Sequence, residues 1–247
     1  LHLSIRRQRQ MCIRDRQNDI HILVIRFKNE ISLLEIPFFR GAILHALHGE
    51  ANVLFHNHVD ESSFRYSYPL IQYKRIQGKA AIVCLKEGTE AIGQFFSEGT
   101  FTFNLGNRYV KMELGSVLPR KCLVQTWNSM FKYRIRRWLP LNSENYQRYK
   151  SMEGISEKIS FLESILIANL LSFSKGMGIY VEKEIQCKLT SLHDPFLIKN
   201  KGIKLMAFDI EFVTNMSLPD YIGIGKNASI GYGVITHVRN ETVMINE

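Results

Sequence analysis

Short β-branched runs and amphipathic segments alternate along the chain in a recurring order. Residues 20–27 (IHILVIRF) have the composition of a strand, and the apolar positions of residues 37–48 recur at helical spacing between Pro37 and Gly49. The patterns that follow are strands at 70–76 and 79–85, a helix at 87–96 and strands within 100–114. The order β-α-β-β-α-β is typical of a ferredoxin-like domain.

A second unit repeats this order less regularly. Its patterns are strands at 122–127 and 130–138, helices at 142–149 and 156–174, strands at 179–189 and 204–213, and a last strand at 234–238. Asn142 or Ser143 is expected to cap the shorter helix, and Gly176 and Gly178 to end the longer one. The sequence therefore predicts an α+β protein with two tandem ferredoxin-like domains, at residues 18–117 and 118–247.

Residues 1–17 have a separate interpretation. They hold five arginines against one acidic residue, Asp15, so +4 of the net charge of +9 lies there and +5 in the rest of the chain. The segment starts at Leu1, and residues 11–16 (MCIRDR) resemble a translated sequencing adaptor. We expect a non-native extension, with a disordered basic arm as the alternative.

The composition is that of a globular protein, with 247 residues of which 45% are hydrophobic. No apolar run approaches the roughly 18 residues that span a membrane. The four cysteines have no C-x-x-C spacing, which argues for a reducing, cytoplasmic location and against a disulfide framework or a zinc ribbon. We expect no cofactor and no membrane association. The modest positive charge is compatible with nucleic-acid binding.

The glycine-rich segment of residues 223–233 is the first candidate site. Its members with a predicted role are Gly223, Gly225, Lys226, Ser229, Gly231 and Gly233. Glycines let a backbone approach a ligand closely and present N–H donors, and the lysine favours an anion. Because the segment leads into a strand instead of a long helix, a nucleotide-binding loop is excluded and a polynucleotide backbone is favoured. A glycine-rich hairpin without a ligand is the alternative.

A histidine cluster is the second candidate site. His45 and His48 lie on a predicted helix, and His56 and His58 lie in the segment after it. In extended backbone the i, i+2 spacing points both imidazoles of the latter pair the same way. Such a pair can divide base and acid roles, bind a metal together with Asp60 or another nearby ligand, or be solvated without a function. The spacing leaves these three uses open.

Several segments together resemble one family. They are residues 38–43 (FFRGAI), 54–58 (LFHNH), 68–74 (YPLIQYK), 138–146 (WLPLNSENY), 212–215 (FVTN), 218–226 (LPDYIGIGK) and 231–233 (GYG). They resemble the CRISPR-associated endoribonucleases that process repeat RNA, the "Cas six" group of the RAMP superfamily, and most closely its b-type branch. The resemblance extends over residues 20–235 and implies RAMP-type (RRM-like) ferredoxin domains.

The resemblance implies metal-independent cleavage of the repeat in a CRISPR transcript (pre-crRNA). The 2′-hydroxyl attacks the adjacent phosphate and leaves a 2′,3′-cyclic phosphate and a 5′-hydroxyl. It assigns catalysis to His56 and His58, without saying which is base and which is acid. Tyr66 and Lys74 are supporting catalytic candidates, as is Tyr68, and each of them is equally interpretable as sheet structure. No bound metal is expected.

The resemblance also implies the partners. Repeat RNA would bind by its phosphates to the glycine-rich segment, and Arg134, Arg136 and Arg137 would line the groove unless they form a solvated strand edge. Residues 227–230 (NASI) lack a basic residue that relatives often carry there. Further CRISPR-associated subunits are allowed, and the protein is expected to be a monomer or homodimer. The alternatives are a non-catalytic RAMP subunit that holds guide RNA and a metal hydrolase built on His56, His58 and Asp60.

Overall fold

The computed structural model of the protein describes residues 18–46, 58–60, 63–64, 68–98, 101–200 and 202–238. The strands are β1 (Asp19–Glu30), β2 (His58–Asp60), β3 (Ser63–Phe64), β4 (Ile71–Ile76), β5 (Lys79–Leu85), β6 (Thr102–Asn104), β7 (Tyr109–Lys111), β8 (Leu114–Leu123), β9 (Thr126–Trp138), β10 (Cys187–Leu192), β11 (Phe196–Asn200), β12 (Ile203–Met216) and β13 (Val234–His237). The helices are α1 (Ile36–Ala46), α2 (Gly88–Glu98), α3 (Ser143–Ser151) and α4 (Ile155–Gly176), and a 3-10 turn, Leu33–Glu35, precedes α1.

The first half forms an antiparallel sheet in the order β4-β5-β1-β8. Counting only its four strands, this is the 2-3-1-4 order of a ferredoxin-like domain. Both faces of the sheet are buried, and the strand alternation separates them. Ile22 and Val24 belong to a core shared with the second half, whereas Ile25 and Phe27 pack with Phe39 of α1.

The second half repeats the same order with β10-β12-β9-β13, and β11 extends β12. Helices α3 and α4 connect its first two strands, as expected for a ferredoxin-like unit. Residues 217–233, which include the glycine-rich segment, stand where the second helix of that fold would be. The predicted class, two tandem ferredoxin-like domains, is confirmed.

Helix α4 is the central helix of the second half. By length and composition alone it is apolar enough to cross a membrane. In this fold Leu162, Leu166 and Leu170 are completely buried in the shared core. Its apolar face is therefore covered by the sheet of the same chain, as in a core helix.

Three local differences from the sequence prediction have physical causes. Strand β8 pairs with β1 over its length, up to Leu123 opposite Asp19, so we place the domain boundary at residues 124–125 and not at 117–118. Residues 179–186 are not a strand, and at their end the side chain of Asn215 takes the place of a partner strand: Oδ1 accepts from Gln186 N–H at 2.9 Å, and Nδ2 donates to Glu184 O at 3.0 Å. Strand β11 had no distinct sequence pattern. Residues 1–17 lie outside the described residues.

Candidate functional site

The glycine-rich segment joins the two halves of the molecule by adding to the free edge of β4. Tyr73 N–H donates to Ser229 O at 2.7 Å, and Tyr73 and Ile230 form a parallel bridge. Gly223 N–H donates to Gln72 Oε1 at 2.8 Å, and the Tyr68 hydroxyl donates to Gly223 O at 2.8 Å. The segment is therefore fixed to the first domain by backbone and side-chain bonds.

Lys74 lies beneath this junction and is fully buried. Its Nζ donates to Ala228 O at 2.6 Å, and no carboxylate pairs with it among the described residues. Burial lowers the pKa of Lys74 to about 7. This placement supports the interpretation of Lys74 as a structural residue that holds the loop, over the predicted supporting role in catalysis.

At two positions the backbone passes so close to another part of the loop that only glycine fits. A Cβ on Gly233, whose φ is +60°, would lie 1.8 Å from Ile224 O. A Cβ on Gly223 would lie 2.4 Å from Ala228 O. The N–H groups of both glycines are used inside the protein, since Gly233 N–H donates to Arg137 O at 3.1 Å. These two glycines thus shape the loop, and do not offer donors to a ligand as the sequence suggested.

The donors that remain lie at the tip of the loop. Within the described part of the chain, the N–H groups of Asn227, Ala228 and Ser229 make no hydrogen bond. Consecutive free N–H groups are able to bind an anion, and the exposed Lys226 places a positive charge beside them.

The loop tip forms one wall of a cleft of about 500 Å³. Tyr68 and Pro69 of the first half, residues 139–142 after β9, Asn169 and Ser172 of α4 and residues 225–229 line it. A cleft of this volume is large enough for a nucleotide. The structure therefore brings Gly225, Lys226 and Ser229 together at a cavity between the two domains.

The arginines of β9 are not part of this cleft. Arg134 lies opposite Glu211 in the sheet register, and its guanidinium therefore donates to that carboxylate. The guanidinium of Arg136 donates to the carboxylate of Asp209 at 2.8 Å. Hydrogen bonds from Lys132 and Arg134 lower the pKa of Glu211 to about 2. The expected open basic groove is in fact a ladder of paired charges, which agrees with the alternative of a solvated strand edge.

Arg137 differs from its neighbours. Its guanidinium lies over the ring of Tyr232, 4.6 Å from the centroid, and burial lowers its pKa. Its carbonyl accepts from Gly233 N–H. Arg137 therefore supports the base of the glycine-rich segment and does not line the cleft.

Of the two predicted catalytic histidines, the structure describes the backbone of His58 alone. His56 and Tyr66 are outside the described residues, and His58 opens β2 opposite Phe64. Facing residues of an antiparallel pair are about 5 Å apart, and the four residues from Phe64 to Tyr68 span at most roughly 14 Å. The backbone of His58 thus lies within roughly 20 Å of Tyr68 in the cleft wall. Of the other histidines of the cluster, His45 is exposed at the end of α1, and His48 is not described.

The metal alternative concerns the segment around His56 and His58. No three His, Cys, Asp or Glu side chains converge among the described residues. His56 and the nearby Glu61, which this alternative would use, fall outside the described residues.

The sequence analysis did not identify Gln72 and Asn169 as site residues. Gln72 was detectable in principle: it shares one face of β4 with Lys74 and Ile76, so two polar side chains occupy core positions. Such a pattern indicates a buried polar contact. Asn169 carries no comparable signal, because a polar residue on a helix is ordinary until its neighbours are known.

Comparison with protein families gives two matches that together span both domains. Residues 18–121 match the Cas6b N-terminal domain, and residues 125–238 match the Cas6b C-terminal domain. An uncharacterized protein of Methanocaldococcus jannaschii, MJ0978, is 39% identical over 111 residues, which are 44% of this chain and 74% of that protein.

Solved structures give the same result. A crystal structure of Cas6b is 27% identical with a TM-score of 0.81, and a crystal structure of the CRISPR RNA processing endoribonuclease Cas6b is 26% identical with a TM-score of 0.69. Each comparison covers 89% of this chain and all of the other. Csf5, a type IV Cas6 crRNA endonuclease, shares the fold at 12% identity and a TM-score of 0.52, over 90% of this chain and all of that one. The chain belongs to the Cas6b family of CRISPR RNA processing endoribonucleases.

Proposed function

We propose that this protein cleaves CRISPR repeat RNA, converting pre-crRNA to crRNA without a metal ion. The observation that carries the proposal is the cleft between the domains, where free N–H groups and Lys226 face a nucleotide-sized space. Only three residues in the sequence separate Phe64, which pairs with His58, from Tyr68 in the cleft wall. A similar solved structure is a CRISPR RNA processing endoribonuclease, which supports RNA as the substrate.

The reaction is an internal transesterification. The 2′-oxygen attacks the adjacent phosphorus, the bond from phosphorus to the 5′-oxygen breaks, and the products are a 2′,3′-cyclic phosphate and a 5′-hydroxyl. One histidine of the pair His56 and His58 takes the 2′-hydroxyl proton, and the other gives a proton to the leaving 5′-oxygen. Each transfer is typically worth about 10²–10⁴ in rate.

The loop holds the RNA by its backbone. The N–H groups of Asn227, Ala228 and Ser229 and the ammonium of Lys226 donate to phosphate oxygens. Such contacts position a strand but carry no sequence information. Gly223, Gly231 and Gly233 contribute by giving the loop its shape. Further protein subunits, the oligomeric state and the cytoplasmic location remain predictions.

Substitution of the histidines tests the function directly. We expect His58→Ala and His56→Ala to lose at least about 100-fold in single-turnover cleavage of the repeat RNA encoded beside the gene, because each removes a proton-transfer group. Binding of the same RNA is expected to change less than threefold. His45→Ala is the matched control, since His45 is exposed at the end of α1, and it should cleave normally.

The same assay separates the alternatives. Full activity in excess EDTA and products that end in a cyclic phosphate support the proposed mechanism, whereas loss of activity in EDTA supports the metal hydrolase. Tight binding by the wild-type protein without any cleavage would identify a non-catalytic guide-RNA subunit.

A further inference from the structure

The cleft between the domains presents free hydrogen-bond donors at the loop tip and on two asparagines. Several of its backbone carbonyls accept from inside the protein: Leu139 O from Lys226 N–H at 3.3 Å, Asn227 O from Ile230 N–H at 3.0 Å and Ser229 O from Tyr73 N–H at 2.7 Å. Ala228 O accepts from Lys74, and Pro69 O from Gln72 Nε2 at 3.0 Å. A ligand that meets the free donors of this cleft must itself supply acceptors.

Two asparagines extend the donor surface away from the loop. Asn169 Oδ1 accepts from the indole N–H of Trp138 at 3.1 Å, and Asn142 Oδ1 accepts from Asn145 N–H at 2.7 Å, as the cap of α3. An indole and a backbone N–H can only donate, so both amides are fixed with the oxygen turned to the protein. Each side chain therefore keeps its NH₂ group for a ligand.

The amide of Asn169 is held particularly firmly. Trp138 is completely buried, and the Cα of Gly225 packs over the hydrogen bond, since a Cβ there would lie 3.0 Å from both Asn169 Oδ1 and Trp138 Nε1. Among the described residues Asn169 Nδ2 has no acceptor, and it is not sealed from solvent. Because Asn169 lines the cleft, this NH₂ group is a fixed donor at its wall.

From this geometry we infer that the cleft binds one nucleotide with its phosphate on the loop tip, and that Asn169, with Asn142, selects a keto base. Uracil and guanine present carbonyl oxygens where cytosine and adenine present amino groups, which are donors. An amino group facing the Asn169 NH₂ would leave two donors without an acceptor, which is costly in a confined site. The inference rests on the proposed function, because it specifies the RNA that the cleft takes.

Short RNA homopolymers of equal charge test the base preference. We expect fluorescein-labelled U8 to bind at least about tenfold more tightly than C8, the discrimination of one well-placed side-chain contact to a base edge. A C8 strand with one central guanine should likewise bind more tightly than one with a central adenine. The first comparison tests uracil and the second tests guanine.

Asn169→Asp is the decisive variant. It keeps the oxygen that accepts from Trp138 and replaces the NH₂ group by an acceptor, so the ratio of U8 to C8 affinity should fall to one or below. The added negative charge weakens the binding of both RNAs equally, so its effect cancels in the ratio of their affinities. Leu171→Asp adds the same charge to an exposed position of α4 outside the cleft and should keep the wild-type ratio.

A second variant releases the amide of Asn169 without adding a charge. Trp138→Phe keeps a ring in the core but removes the indole N–H that fixes the amide, so it should also bring the ratio towards one. Equal binding of U8 and C8 by the wild-type protein, or a wild-type ratio in Asn169→Asp, would overturn the inference. If repeat RNA is bound and cleaved normally in that case, the proposed function stands; if the wild-type protein binds none of these RNAs, both fail.

Discussion

At the scale of single residues, the junction of the two domains depends on polar groups in core positions. Gln72 and Lys74 come from one face of β4 and contact the glycine-rich segment at Gly223 and Ala228. Burying an ammonium without a carboxylate costs free energy, which the hydrogen bond to Ala228 O offsets only in part. The pKa of about 7 for Lys74 follows from that burial.

The lowered pKa of Lys74 makes the free energy of unfolding depend on pH. Because the pKa of Lys74 is lowered from 10.5 to about 7, the unfolded chain holds a proton between these values that the folded chain does not. The free energy of unfolding should therefore rise with pH between about 7 and 10, by up to about 1.4 kcal/mol per pH unit, and be independent of this group below 7.

Lys74→Met isolates the contribution of this one side chain. In chemical denaturation at pH 7, 8 and 9, the wild-type protein should gain stability over the variant as pH rises, and other titrating groups cancel in the difference. If the difference in free energy of unfolding between the two proteins stays constant from pH 7 to 9, the ammonium of Lys74 is not desolvated.

At the scale of elements, the glycine-rich segment takes the place of the second helix of a ferredoxin-like domain. Its backbone conformation and close contacts require glycine, whereas a position within a helix does not. Gly233 combines a φ of +60° with a backbone oxygen 1.8 Å from the position of a Cβ, whereas a Cβ on Gly41 in α1 would meet nothing within 4 Å. The same substitution should therefore have opposite effects at the two sites.

Gly233→Ala is expected to lower the free energy of unfolding by at least about 2 kcal/mol and to weaken binding of repeat RNA. Gly41→Ala should raise it by about 0.5–1 kcal/mol, because it removes conformational freedom from the unfolded chain within a helix. Thermal and chemical unfolding of both variants measure the difference. Equal stability of the two would contradict the close approach of Gly233 to Ile224.

The elements were largely predictable from local pattern, and the exceptions have specific causes. The β-branched run at β1, the helical spacing at α1 and the Asn142 cap of α3 all act within a few residues. The pairing of Arg134 with Glu211 depends on a strand register set between residues far apart in sequence, so the arginines of β9 looked free in the sequence. The same holds for residues 179–186, where Asn215 replaces a strand partner.

At the scale of the whole molecule, function depends on how the two ferredoxin-like domains meet. The shared core contains Val24 and Val83 of the first sheet together with Leu166 and Phe212 of the second half. The cleft exists only at this junction, since Tyr68 and Asn169 line it from opposite halves. The sequence indicated the loop and the histidine pair, but the donor surface at the domain junction arises from docking, which has no local pattern.

The most direct test of the central claim changes the RNA and leaves the protein intact. Once the cleavage position in the repeat is mapped, the 2′-hydroxyl of the nucleotide before the scissile phosphate is replaced by hydrogen, and single-turnover cleavage is measured in EDTA. The mechanism predicts no cleavage of this RNA, unchanged affinity and normal cleavage when a neighbouring 2′-hydroxyl is replaced instead. Cleavage of the modified RNA at the normal rate would contradict attack by the 2′-oxygen.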